Sequence, residues 1–184
     1  MHGNELRKIG KKFAGAARLQ RAADVAPASD RGAVLIPLAR TLAELGDAEQ
    51  FDTAIFDLKR FVDSHHGTPL VNSFVVREVH LRGSLVTGRL HAAMRLAEAD
   101  IPDATGVAPQ WQTIERVTVA EVFRASGDES AASEALLQSI ATAESTRLPH
   151  QIQRAMRAAR GFFPEIEAVG AAALRRLHLT LPAA

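Results

Sequence analysis

A two-residue punctuation recurs three times in this chain, as Gly46-Asp47, Gly88-Arg89 and Gly127-Asp128. Each instance separates two alanine-rich segments with helical periodicity. The intervals between the glycines are 42 and 39 residues. Recurrence at that length restricts the chain to helical hairpins placed one after another. Glycine can end a helix in the left-handed conformation at little cost. An aspartate directly after it can accept from the backbone N–H groups that open the next helix. Strand signals are nearly absent, and Val71 to Val79, the one β-branched run, reads equally well as a helix.

The periodicity predicts a helix over 4–24, with Leu6, Ile9, Phe13, Ala16/Ala17 and Leu19 near one stripe and a basic opposite face. Pro27 to Asp30 breaks the pattern, and Ser29 or Asp30 can cap the next helix. Helices are then expected over 31–45, 48–64, 69–87, 89–99, 110–126, 129–145, 149–160 and 165–179. Thr68 before Pro69 reads as an N-cap followed by a first helical position, where proline loses no needed N–H. The longest loop is 101–109. The expected organisation is a basic N-terminal helix in 1–28 and a helical-repeat domain over 29–184. The fold class is all-α, a stack of about four antiparallel helical hairpins.

Composition excludes several kinds of chemistry. The 184 residues contain no cysteine, which removes disulfides, thiolate zinc sites and cysteine nucleophiles. Net charge is +1, so bulk electrostatics select neither nucleic acid nor membrane. Residues 1–24 nevertheless carry six Lys/Arg against Glu5 and Asp24. No run approaches the length of a membrane span, and the basic N-terminus lacks the apolar stretch of a secretory signal. A soluble, cytoplasmic protein is expected. The preference for arginine over lysine and the abundance of alanine point to GC-rich bacterial coding.

Aligning the three glycines exposes a second pattern. At eleven, eight, seven and four residues before the glycine stand Leu35, Leu38, Ala39 and Leu42 in the first repeat. Arg116, Val119, Ala120 and Phe123 stand there in the third. The second repeat, with Arg77, His80, Leu81 and Ser84, departs from the pattern. Five residues after the glycine stand Phe51, Ala93 and Ala132. Small residues at such positions let two helices approach, while large ones fill the groove between neighbours. This arrangement over residues 31–146, and more loosely 147–179, resembles the tetratricopeptide repeat. The period exceeds the family's about 34 residues, and Phe51 stands where the family usually has alanine. Longer repeats of this kind are similar to those in sensor domains of actinobacterial helix-turn-helix regulators. HEAT-like and other helical hairpin stacks remain open as alternatives, and their repeat length fits better.

The resemblance implies that the first helix of each repeat lines a concave, partner-binding face. It places Arg40, Glu44, Glu78, Arg82, Glu121 and Arg124 there as exposed polar positions, with Trp111 beside the 101–109 loop as a groove or lid residue. The mixed signs do not match the all-basic clamp that some family members use for acidic peptide tails. The same positions also suit salt bridges between neighbouring helices. On this reading, Arg82→Glu weakens partner binding without unfolding the protein.

Other constellations carry little chemistry. His65 and His66 are adjacent, so on a helix they point about 100° apart and chelate poorly. His80 and His150 have no His-Glu-x-x-His spacing around them. Gly83 to Gly88 has the glycine spacing of a phosphate loop but continues Arg-Leu, inside a helical pattern. No Gly-x-Ser-x-Gly is present. No metal, cofactor or catalytic residue is expected. The expected function is a non-catalytic binding module that captures a protein, peptide or small effector in a concave groove. The alternatives are the ligand-sensing domain of a bacterial transcriptional regulator and a small all-helical biosynthetic enzyme. The basic N-terminal helix can cap the first repeat, dock a partner or meet an anionic surface. No direct nucleic-acid contact and no membrane are expected, and a homodimer is, because open-ended stacks expose apolar faces.

Overall fold

The computed structural model describes residues 2–65, 68–100 and 104–179. Among them are ten helices and no strand: α1 (His2–Lys8), α2 (Lys12–Val25), α3 (Arg31–Leu45), α4 (Ala48–His65), α5 (Ser73–Val86), α6 (Leu90–Glu98), α7 (Pro109–Ser126), α8 (Glu129–Ser145), α9 (Pro149–Ala159) and α10 (Pro164–Leu179). The protein is all-α. It forms two compact units, Met1–Leu96 and Ala97–Ala184, with α6 running across the boundary.

The predicted punctuation is realised in full. Gly46, Gly88 and Gly127 are left-handed, at φ 77°, 74° and 87°. At each, the glycine N–H and the next N–H donate back to two carbonyls at the end of the preceding helix, the bonding that closes a helix with a left-handed residue. Asp47 and Asp128 then cap α4 and α8, accepting from Gln50 N at 3.1 Å and Ala131 N at 2.9 Å. At the head of α3, Asp30 stands in the cap position without a side-chain cap bond.

The single helix expected over 4–24 is two helices. Gly10, at φ 82°, repeats the same closure, with Gly10 N bonded to Arg7 O and Lys11 N to Leu6 O, both at 2.9 Å. The glycine in a basic sequence is therefore a fourth member of the series. The two helices approach closely because Gly3 and Gly15 face each other; a Cβ on Gly15 would lie 3.0 Å from the Gly3 carbonyl oxygen. The α8–α9 turn uses the same closure with a non-glycine residue, Arg147 at φ 56°.

The start of α5 also differs from expectation. Thr68 does not cap a helix at 69; its N–H donates to Val71 O at 2.7 Å, and its hydroxyl accepts from Val71 N at 3.0 Å. That turn uses up Thr68, and the cap falls to Asn72, which accepts from Val75 N at 3.1 Å.

In the first unit, α3 packs on α2, α4 and α5, and α4 packs on α5. Leu35, Leu38, Leu58 and Val79 are among the buried side chains there. Phe51 is fully buried, and its ring lies against Gly83 of α5, where a Cβ would sit 2.2 Å from two ring carbons. A large residue five positions past the turn glycine is thus matched by a residue with no side chain on the facing helix. The second unit buries small residues at the matching positions. Ala120 and Ala132 are buried on α7 and α8, in a core with Leu136, Ile140, Ile152 and Ile166. Burying each of those larger side chains contributes roughly 1.5–3 kcal/mol.

Candidate functional site

The polar positions expected on a concave face are largely bonded to one another or to other parts of the chain. Glu78, expected to be exposed, is buried, with its side chain 4% exposed. Two guanidinium groups hold it. Arg40 of α3 donates from Nη2 to Oε2 at 2.7 Å, and Arg82, one turn along α5, donates from Nε to Oε1 at 2.8 Å. Burial pushes the carboxyl up, but the charges and hydrogen bonds of Arg40 and Arg82 pull it further down, and its pKa lies below the ordinary value. A buried carboxylate needs such partners, because an unpaired charge away from water is far too costly. The sequence could show that a glutamate lay four residues from an arginine. It could not show that α3 would bring a second one.

Glu44 is occupied as well. Arg7 of α1 and Lys12 of α2 both reach it, Arg7 in a short hydrogen bond and Lys12 at 3.8 Å. Lys12 also lies 3.4 Å from the Glu44 carbonyl oxygen. These contacts tie the basic N-terminal hairpin to the end of α3.

A further cluster lies around Phe51. Arg89 grips Asp52 through both carboxylate oxygens, at 2.7 and 2.9 Å, and lies over the Phe51 ring at 5.3 Å. The His80 ring is 6.2 Å from the Phe51 ring. Burial, with the cations of Lys59 and Arg89 and against the opposing charge of Asp52, pushes His80 down to about 4. It is a neutral, half-buried side chain at physiological pH.

In the second unit, Arg124 stacks on the Phe162 ring at 4.1 Å, Glu121 is half-buried on the same helix, and Trp111 is half-buried in the first turn of α7. Residues 101–103 of the loop beside Trp111, and His66 of the adjacent histidines, lie outside the described residues. Among the described residues, no group of three His, Asp or Glu side chains could hold a metal ion. Gly83 lies inside α5, so the glycines at 83 and 88 form no phosphate-binding loop.

The structure brings forward residues that the periodicity concealed. A groove of about 540 Å³ opens beside α2, lined by Leu19, Ala22, Val25 and Val34 together with His2, Gly3, Arg18 and Arg21. Neither arginine has an ion pair among the described residues, and Val25 is 82% exposed. A smaller cleft of about 350 Å³ between α3 and α4 carries Arg31, Asp57, Arg60 and Phe61. Both are open to solvent. Among the described residues, no helix is long and apolar enough to cross a membrane. No protein-family model, no curated protein and no solved structure matches the chain.

Proposed function

We propose that the chain is a non-catalytic helical-hairpin binding module that captures a protein or peptide segment. The observation that carries this reading is the groove beside α2, with its largely apolar lining and two arginines that have no ion pair among the described residues. Its volume falls within the about 300–1,000 Å³ of ordinary binding clefts, and its lining combines apolar contact with two arginines and His2, with no carboxylate among them. The groove differs from the concave face that the tetratricopeptide resemblance implies, because Arg40, Glu44, Glu78 and Arg82 satisfy internal partners. The absence of cysteine suits a reducing compartment such as the cytoplasm.

The test is parallel capture from lysate on the immobilised full chain and on a Val25→Asp/Val34→Asp variant, with mass spectrometry of retained peptides and small molecules. A protein or peptide held by the wild type and lost by the variant, with unchanged circular dichroism, supports the reading. A retained small molecule without a polypeptide moves the function to a ligand sensor. Equal retention by both forms removes the groove.

A further inference from the structure

The α1–α2 turn leaves two large apolar side chains in solvent: Ile9 is 66% exposed and Phe13 is 81% exposed. They flank the left-handed Gly10, so both stand at the end of a helical hairpin rather than on the wall of a cleft. Lys8, Lys11 and Lys12 lie in the same short stretch. The chain has four lysines and eighteen arginines, so three of its four lysines are concentrated at this one turn. Glu5 pairs with Lys8 at 2.9 Å, and Glu44 serves Arg7 and Lys12. Lys11 has no ion pair among the described residues, and Arg7 with the three lysines outnumbers the two carboxylates. The near-neutral charge of the whole chain conceals this local excess.

A protruding turn with an apolar tip and a cationic collar fits few partners. The phosphate backbone of a nucleic acid would reward the lysines but leave Ile9 in water. A protein would need a socket that encloses both Ile9 and Phe13. An anionic bilayer needs no socket. Its headgroup–acyl boundary accepts apolar side chains from a projecting element, while long lysine side chains reach the lipid phosphates. We propose that the α1–α2 turn docks the protein on an anionic bilayer surface, with Ile9 and Phe13 entering the headgroup region, Lys11 at the phosphates, and Lys8 and Lys12 adding positive charge beside it. Two apolar side chains and a small charge excess make a weak, reversible attachment that salt weakens further. This surface is separate from the groove beside α2, and neither depends on the other.

The test is flotation of the full chain with phosphatidylcholine vesicles and with vesicles that also contain phosphatidylglycerol. The protein is expected to float with the mixed vesicles only and to be released by added salt. Lys11→Ala should lower partitioning roughly fivefold, the equivalent of one lysine at an anionic surface. Phe13→Ser should lower it at least as far. Both positions are exposed, so the melting midpoints should stay at the wild-type value. Phe13→Trp should add a fluorescence component that shifts to the blue on mixed vesicles and stays unshifted on neutral ones. The proposal is overturned if the wild type stays with the soluble fraction, or if both variants float as it does. Equal binding to neutral vesicles also overturns it. So does a vesicle-free, concentration-dependent self-association that Phe13→Ser abolishes, because the turn would then be a contact between copies.

Discussion

The α3–α4 and α7–α8 hairpins share a turn and differ in what they bury. Both close on a left-handed glycine, Gly46 or Gly127, and both open the second helix with an aspartate cap. Five residues past the glycine, however, one has Phe51 and the other Ala132, and both are fully buried. In the second unit the small residue sits in the hairpin itself. In the first, the small partner is Gly83 on α5, and the same region also houses a carboxylate between two arginines. A turn is therefore specified by a few neighbouring residues, while the room for a side chain is specified by a helix far along the chain.

The sharpest way to break that comparison is Phe51→Ala. Removing a buried ring that packs directly on Gly83 should cost about 4 kcal/mol, read as a fall in the urea unfolding midpoint. Combining it with Gly83→Leu should recover part of the loss; a double variant no more stable than the single would separate the two residues. Arg82→Glu should cost about 3 kcal/mol, because it removes one partner of a buried carboxylate and places a like charge beside it. That outcome differs from the sequence-based expectation of weakened binding on an intact fold, and thermal melts decide between them. In the second unit, Ala132→Leu should destabilise by about 2 kcal/mol through overpacking; an unchanged melting midpoint would show that α7 and α8 do not meet at that residue.

A pH-dependent difference comes next. The His80 pKa in the folded protein, pushed down to about 4, lies below its ordinary 6.5. The unfolded chain therefore binds more protons between those values, and stability falls as pH drops from about 6.5 toward 4. His80→Asn should flatten that part of the stability profile, measured by urea unfolding across the range. An equally steep profile in the variant would assign the acid sensitivity to other groups. The smallest effects belong to the feature the hairpins share. Gly46→Ala and Gly127→Ala should each cost about 1 kcal/mol, because alanine is strained in the left-handed conformation. Markedly unequal costs would mean that the two turns are not interchangeable.

The legible part of the fold was its local part. Glycines followed by a capping residue located the hairpin turns, and apolar spacing located the helices between them. Gly10 escaped because its neighbours are lysines and its flanking apolar residues continue a helical stripe; only the close approach of Gly3 and Gly15 explains why the chain reverses there. The sequence places the start of α5 too early because Thr68 and Asn72 are both good caps, and the choice depends on a turn that Thr68 makes with Val71. The candidate site was harder to read. Arg40, Glu78 and Arg82 stand out together in the sequence, but whether they face solvent or each other depends on the approach of α3 and α5. The exposure of Val25 and Phe13 left no trace in the periodicity, since an apolar residue looks the same in sequence whether or not a neighbour covers it.

The uneven use of lysine and arginine gives the molecule a chemical polarity. Guanidinium groups are poor targets for amine-directed reagents at neutral pH, so acylation of the side chains would fall on the α1–α2 turn, with Lys59 of α4 as the other acceptor. Coupling through lysine amines would tether every copy by its first unit and most of them by the same turn. An acetylating enzyme would likewise find most of the protein's side-chain targets within five consecutive residues, Lys8 to Lys12.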